Sequence, residues 1–131
     1  FIFQKEVAER IVAKENSKSY GRLSIITSSK MRTEKIFDIS PESFYPKPKI
    51  WSSLVVLEPT TELLKKHEIV KLEYITRIFF NQRRKMIKKP LKSLFKNYED
   101  IANKLNIDTN SRPQNLSEKK YFELCRLYTK N

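Results

Sequence analysis

The chain has 131 residues, 27 of them Lys or Arg and 15 Asp or Glu, so its formal net charge is +12. With 39% hydrophobic residues, it can form one ordinary domain or two small units that share a core, and it is not disordered by composition. The single Gly excludes a glycine-rich phosphate loop, and the single Cys and single His exclude a disulfide framework and a Cys/His zinc site, so no metal is predicted.

Residues 1–59 combine helix and strand patterns. Residues 1–3 resemble the end of a buried strand, and a helix follows with Val7, Ala8, Ile11 and Val12 on one face. A second helix is predicted to open near Gly21 and to bury Leu23 and Ile26, with Ile25 a weaker candidate for its buried face. A short strand at 36–39 precedes a proline-rich turn.

The clearest strand is predicted at 50–57. Its segment Leu54–Leu57 is apolar on both faces, which is typical of a sheet that is covered on both sides. Because two strands and two helices cannot cover such a sheet, we expect the chain to be a fragment whose remaining strands lie upstream.

Residues 61–131 read as helices. The first is predicted at 68–82, Pro90 interrupts its continuation, and Asn97 is a candidate N-cap for a short helix. For the last helix we predict Ser117 as the N-cap and a hydrophobic staple between Leu116 and Tyr121. The predicted fold class is therefore α/β followed by all-α.

The densest charge feature is a run of seven basic residues within 83–96 that includes no acidic residue. Helix surfaces usually interleave both signs, because opposite charges one turn apart attract and like charges repel. An uncompensated cluster favours a polyanionic partner such as a nucleic acid, with a basic surface that only promotes solubility as the alternative. The cluster comprises Arg83, Arg84, Lys85, Lys88, Lys89, Lys92 and Lys96.

Two loops combine aromatic and basic residues. In 44–49, two prolines hold Phe44, Tyr45, Lys47 and Lys49 in an extended segment. Aromatic faces stack on unpaired bases and lysines meet phosphates, although Phe44 could equally be a core anchor. The second loop places Lys18, Tyr20 and Arg22 around the only glycine, and here too functional and structural roles are balanced.

Three single residues are predicted to be structural. Cys125 lies on an apolar helix face, Trp51 is expected to be packed rather than to serve as a base platform, and His67 is expected at the surface.

The order of these features resembles the KsgA/RsmA family, whose members are S-adenosylmethionine-dependent dimethyltransferases that act on adenosines of small-subunit ribosomal RNA. The F-x-P-x-P-K and N-Q-R-R-K strings are the specific part of the resemblance, and Trp51 stands where the family usually has Asp. The matching stretches are FQKEVAERIVA (3–13), SKSYGRLSI (17–25), SFYPKPKIWSSLVVLEP (43–59), FFNQRRKMIKKPL (79–91) and RPQNLSEKKYFEL (112–124).

The resemblance implies that residues 1–60 are the last strands and helices of a Rossmann-like methyltransferase domain, and that 61–131 form a small C-terminal helical domain that binds ribosomal RNA. The site for S-adenosylmethionine would lie upstream, so no cofactor-binding residue is predicted in this chain. Phe44 matches the aromatic residue that stacks on the flipped target adenine. The predicted RNA-binding residues are Gln4, Lys5, Lys18, Tyr20, Arg22, Lys47, Lys49, Arg83, Arg84, Lys85, Lys88, Lys89 and Arg112.

The leading hypothesis is part of an rRNA adenine N6,N6-dimethyltransferase that acts in ribosome biogenesis, with small-subunit ribosomal RNA or its precursor particle as partner. Alone, the chain is expected to be inactive. No signal peptide or run of 18 apolar residues is visible, so a cytoplasmic protein with no membrane partner is predicted. The alternative is a non-catalytic RNA- or DNA-binding module.

Overall fold

The computed structural model describes residues 1–61 and 64–129. It has a small three-stranded sheet followed by a helical part, so the predicted change from α/β to all-α is present. The strands are β1 (Ile2–Gln4), β2 (Met31–Ile39) and β3 (Ser52–Pro59). The helices are α1 (Lys5–Val12), α2 (Arg22–Ser28), α3 (Lys66–Phe80), α4 (Lys88–Leu94), α5 (Tyr98–Leu105) and α6 (Glu118–Thr129).

The three strands form an antiparallel sheet in the order β1-β3-β2. β2 is much longer than the strand predicted at 36–39, and its register against β3 shifts between Lys35 and Phe37. This irregularity hides the period-2 pattern that a regular strand would show in the sequence. It also leaves Ile36 and Phe37 exposed, at 46% and 53%.

Alternate residues of β3 differ in burial, because successive side chains point to opposite faces of a sheet. Ser53 and Val55 are fully buried, whereas Val56 is 37% exposed. Among the described helices, α1 contacts all three strands and α2 contacts β2. The face that carries Val56 is less buried than the face that carries Ser53 and Val55.

The prediction that α2 buries Leu23 is wrong, since this side chain is 44% exposed. The helix begins only at Arg22, with Gly21 as its N-cap. This start places Ser24 and Ile25, rather than Leu23, on the buried face of a helix of two turns.

Both parts of the chain contribute to one hydrophobic core. Leu72, Ile75 and Phe79 of α3 pack with α6, and Tyr20 and Ile25 from the first part belong to the same cluster. The two parts therefore share a core, as the length of the chain allowed.

The helix boundaries follow local capping only in part. Ser117 caps α6 as predicted, because its Oγ accepts a hydrogen bond from the Lys120 N–H at 3.3 Å. Asn97 stands at the N-cap position of α5, but its side chain caps nothing. Pro90 does not end a helix: it lies in the first turn of α4, where a missing N–H costs no hydrogen bond.

Candidate nucleic-acid interface

The end of α3, the turn 81–87 and α4 enclose a groove of approximately 760 Å³ that is rich in lysine. Asn81 and Gln82 add polar groups, and Met86, which is 52% exposed, adds an apolar one. Four lysines line the groove, namely Lys85, Lys88, Lys89 and Lys92, and all four are exposed.

The folding of α4 explains why its lysines share one surface. Ile87, Leu91 and Phe95 are buried at a spacing of four residues, which forms one stripe of a helix. The stripe anchors α4 in the core, and the Ile87 N–H also donates to the Ser111 carbonyl at 2.8 Å. Lysines between the buried positions are consequently held at the surface.

The groove lysines form no ion pair with a carboxylate of the described residues. Ion pairs found among residues 1–61 and 64–129 involve none of the residues from 83 to 96. Elsewhere in the described chain, exposed lysines such as Lys14 and Lys47 do find carboxylates. The groove therefore carries an uncompensated positive field, as the sequence indicated.

Arg83 holds the loop 18–21 against the end of α3. Its guanidinium donates to the Tyr20 carbonyl at 2.6 Å and to the Lys18 carbonyl at 2.8 Å, and it lies 5.7 Å from the Phe80 ring centroid. Arg84 and Lys85, in contrast, are exposed. Within the basic cluster, Arg83 thus also has a structural role that its sequence neighbours lack.

The prediction that Tyr20 contacts RNA is wrong, because its side chain is completely buried. Its hydroxyl donates to the Leu116 carbonyl at 2.7 Å, and burial raises the pKa of this phenol. The two other candidates from this loop are exposed: Lys18 is at the surface, and Arg22 donates to the Glu73 carbonyl at 3.1 Å.

Arg112 is exposed and lies next to Ser111, the residue that the Ile87 N–H contacts. The turn Pro113–Asn115 follows it, and the Arg112 N–H donates to the Asn115 Oδ1 at 2.8 Å. The fold therefore brings the backbone of Arg112 beside the start of α4, although 24 sequence positions separate Lys88 from Arg112.

The loop 44–49, which is predicted to stack on the target base, lies in the α/β part of the chain between β2 and β3. A short turn, Pro41–Ser43, is capped by the Ser40 hydroxyl, and Phe44 follows it half-buried. Tyr45 is fully exposed, and Lys49 is exposed too. Lys47 forms an ion pair with Glu42 at 3.7 Å, so part of its charge is balanced.

Where β2 and β3 border this loop, the structure adds a polar cluster that sequence reasoning missed. Asp38 accepts a hydrogen bond from the Ser53 hydroxyl at 2.6 Å and contacts the ammonium groups of Lys35 and Lys5 at 3.2 and 3.5 Å. The Ser53 hydrogen bond, together with Lys35, lowers the pKa of Asp38. No sequence pattern links these positions, because strand pairing alone brings Asp38 opposite Ser53.

Gln4 is exposed at the end of β1, and Lys5 opens α1 beside it. The Lys5 ammonium lies 5.8 Å from the centroid of the Trp51 ring. Trp51 is 49% exposed, so the prediction that it is packed is wrong. Because Trp51 precedes β3 rather than lying within it, its ring is not enclosed by the sheet.

Neither a glycine-rich loop nor a cluster of metal-ligating side chains is present among the described residues. Gly21 has an extended φ of −174° at the N-cap of α2, and it is not part of a glycine-lined loop. Within 1–61 and 64–129, no cluster of three His, Cys, Asp or Glu side chains could hold a metal ion. In the described ranges, none of the helices α1 to α6 has the length and apolar composition of a transmembrane span.

Comparisons with known proteins point in one direction. The family described as ribosomal RNA adenine dimethylase matches residues 1–130. The ribosomal RNA small subunit methyltransferase A of Pelagibacter ubique is 51% identical over 127 residues, which are 97% of this chain and 48% of that protein. Its counterpart in Ehrlichia ruminantium is 45% identical over 126 residues, or 95% of this chain and 47% of that protein. The chain thus spans about half the length of the curated relatives it matches.

Solved structures show the same likeness. A dimethyladenosine transferase from Plasmodium falciparum matches with a TM-score of 0.81 and 25% identity, over 98% of this chain and 56% of that one. The 23S rRNA methyltransferase ErmE matches with a TM-score of 0.66 and 18% identity, over 95% of this chain and 52% of that one. The second match supports the fold alone.

Proposed function

The chain belongs to the ribosomal RNA adenine dimethylase family, and on that premise we propose that it is the C-terminal part of an S-adenosylmethionine-dependent enzyme that dimethylates N6 of adjacent adenosines in small-subunit ribosomal RNA. Residues 1–60 would complete the methyltransferase domain, and residues 61–131 would form the helical domain that docks the RNA. The small-subunit precursor particle would be the natural partner.

The observation that carries the docking part of this proposal is the lysine groove beside α4. A cavity of approximately 760 Å³ with four exposed lysines suits a phosphate backbone, which is recognised by charge rather than by base identity. Arg84 extends the positive surface, and Arg112 approaches the start of α4 through the Ser111–Ile87 hydrogen bond. The positions of these basic residues are thus consistent with an RNA-docking role.

In this proposal, Phe44 supplies the stacking partner of the target adenine. A base that is turned out of its stack loses favourable contacts, and a protein aromatic ring can replace part of them. Phe44 is half-buried, so its ring is supported by neighbours while part of it stays accessible. Phe44 would hold and orient the base. S-adenosylmethionine would supply the methyl group and would bind outside the described residues.

RNA binding by the chain tests the docking role. Triple replacement of Lys88, Lys89 and Lys92 by Ala should weaken binding of a labelled small-subunit rRNA fragment in fluorescence anisotropy. On single strands, each lost phosphate contact reduces the magnitude of the slope of log K against log salt by about 0.7. Loss of three contacts should therefore reduce this magnitude by about 2.

The matched control removes the same charge elsewhere. Lys30, Lys104 and Lys119 are exposed and lie outside the groove lining, so their triple Ala variant should retain the slope within about 0.7 of wild type. Equal losses in the two triple variants would show that total charge, and not the groove, binds RNA.

The second candidate function is a non-catalytic RNA-binding module, and the location of the whole groove in this chain favours it. A test of catalysis separates this candidate from the proposed methyltransferase. We expect the chain alone neither to bind S-adenosylmethionine in calorimetry nor to methylate RNA. The protein encoded by the full reading frame should methylate small-subunit rRNA. RNA binding without methylation by that full-length protein would support the module instead.

A further inference from the structure

The ring of Trp51 is presented at the surface with a cation beside it. The residue is 49% exposed, and the Lys5 ammonium lies 5.8 Å from the ring centroid. The Lys5 N–H also donates to the Trp51 carbonyl at 3.0 Å, which ties the residue to the junction of β1 and α1. The backbone of Trp51 is therefore fixed while its ring remains accessible.

The electrostatics around this ring favour an anionic, base-containing strand. Asp38 is the carboxylate near Lys5, but it also contacts Lys35 and accepts a hydrogen bond from Ser53. Two ammonium groups share one carboxylate, so the cluster keeps a net positive charge. Residues 43–57, which include Trp51, contain Lys47 and Lys49; Lys47 pairs with Glu42, whereas Lys49 takes part in no ion pair among the described residues.

Other aromatic side chains lie on the same connection between β2 and β3. Tyr45 is fully exposed and Phe44 is half-buried, and Lys49 stands two positions before Trp51. Aromatic rings with lysines between them are a combination that binds single-stranded nucleic acid, because bases stack on rings and phosphates meet ammonium groups.

We propose that Trp51, with Lys5 and Lys49, is a second stacking site that holds an unpaired nucleobase of the RNA close to the Phe44 loop. The Lys5 ammonium occupies one face of the ring, and the base stacks on the part that it leaves free. A peptide partner would need a carboxylate to meet these lysines, whereas a nucleotide supplies ring and anion together. The inference rests on the proposed function and adds a site to it.

The chain offers a direct probe, because Trp51 is its only tryptophan. Titration of the 131-residue chain with a single-stranded oligoribonucleotide should quench the tryptophan emission in a saturable way, since a stacked base contacts the ring. Heparin, a polyanion without bases, should leave the emission unchanged even where it competes with labelled RNA. Emission that is already blue-shifted and does not respond to the oligonucleotide would show a covered ring and overturn the proposal.

Variants provide an independent measurement by anisotropy with the same oligonucleotide. Trp51→Ala should weaken binding roughly 5- to 150-fold, the range expected for loss of one stacked base. Trp51→Phe should recover most of that loss, because it restores an aromatic face. Val70→Ala, at a position of α3 that is 64% exposed, should bind like wild type.

The outcomes separate this site from the docking role. Suppose that the salt dependence of RNA binding depends on the groove lysines, but that Trp51→Ala binds RNA as tightly as wild type. This pair of results would overturn the stacking site and leave the proposed function intact. A wild-type chain that binds no RNA at low salt would overturn both. Quenching together with rescue by Phe would support the site.

Discussion

Arg83 should contribute more to the free energy of unfolding than Arg84, the other arginine of the basic cluster. Replacement of Arg83 by Lys tests this structural role most directly. Arg83→Lys keeps the positive charge but replaces a planar fork with a single ammonium. One ammonium on a side chain of shorter reach cannot reproduce both hydrogen bonds, to Tyr20 and Lys18, in the geometry that the guanidinium gives them. The loop 18–21 should then lose part of its attachment to the end of α3.

The expected magnitude follows from these contacts. A hydrogen bond that involves a charged group contributes about 1.5–3 kcal/mol, and the bond to Lys18 is solvent-exposed and worth less. The contact with the Phe80 ring adds about 0.5–1 kcal/mol. We therefore expect Arg83→Ala to lower the free energy of unfolding by about 2–4 kcal/mol, and Arg83→Lys by about 1–2 kcal/mol.

Urea unfolding followed by circular dichroism measures both changes, with Arg84→Lys as the matched control. Arg84 is exposed, so its replacement should change the free energy of unfolding by less than about 0.5 kcal/mol. Equal effects of Arg83→Lys and Arg84→Lys would refute the assignment of a structural role to Arg83.

Three further predictions concern single side chains. The Ser53 hydrogen bond lowers the pKa of Asp38 in the folded chain. The ionised carboxylate therefore stabilises the fold above the ordinary pKa of Asp, and this contribution is lost as the pH falls through the lowered folded pKa. Between pH 5 and pH 3, the urea midpoint of the wild type should drop more than that of Asp38→Asn. Burial raises the pKa of Cys125 from 9.0 to about 11 and also covers the side chain, so its thiol should react with iodoacetamide at pH 8 at least about 100-fold more slowly in the folded chain than in urea. Ile87→Ala should cost about 2–4 kcal/mol in thermal or urea unfolding, because the side chain is fully buried, whereas Met86→Ala at the exposed neighbouring position should cost under about 1 kcal/mol.

Local patterns were enough to locate most of the helices. The stripe of Leu72, Ile75 and Phe79 lies on α3 and is buried, and Ser117 caps α6, because periodicity and capping depend on residues that are near each other in sequence. The density of charge at 83–96 likewise required no tertiary information. These features were therefore predictable.

The strands were harder to define, for a physical reason. Residues 31–35 of β2 alternate between partly buried and exposed, and the irregularity between Lys35 and Phe37 breaks the alternation. Strand pairing with β3 stabilises this segment, and a partner 20 or more positions away leaves no mark on a local window.

The sequence alone determined that this chain is basic, forms an α/β part and a helical part, and presents a lysine-rich segment. Only the tertiary structure decided which of the candidate residues can reach a ligand. Tyr20 is buried under the Leu116 carbonyl, Arg83 is engaged with the loop 18–21, and Trp51 is exposed beside Lys5. These three fates depend on contacts between segments that lie far apart along the chain, and accessibility is a property of such contacts rather than of residue type.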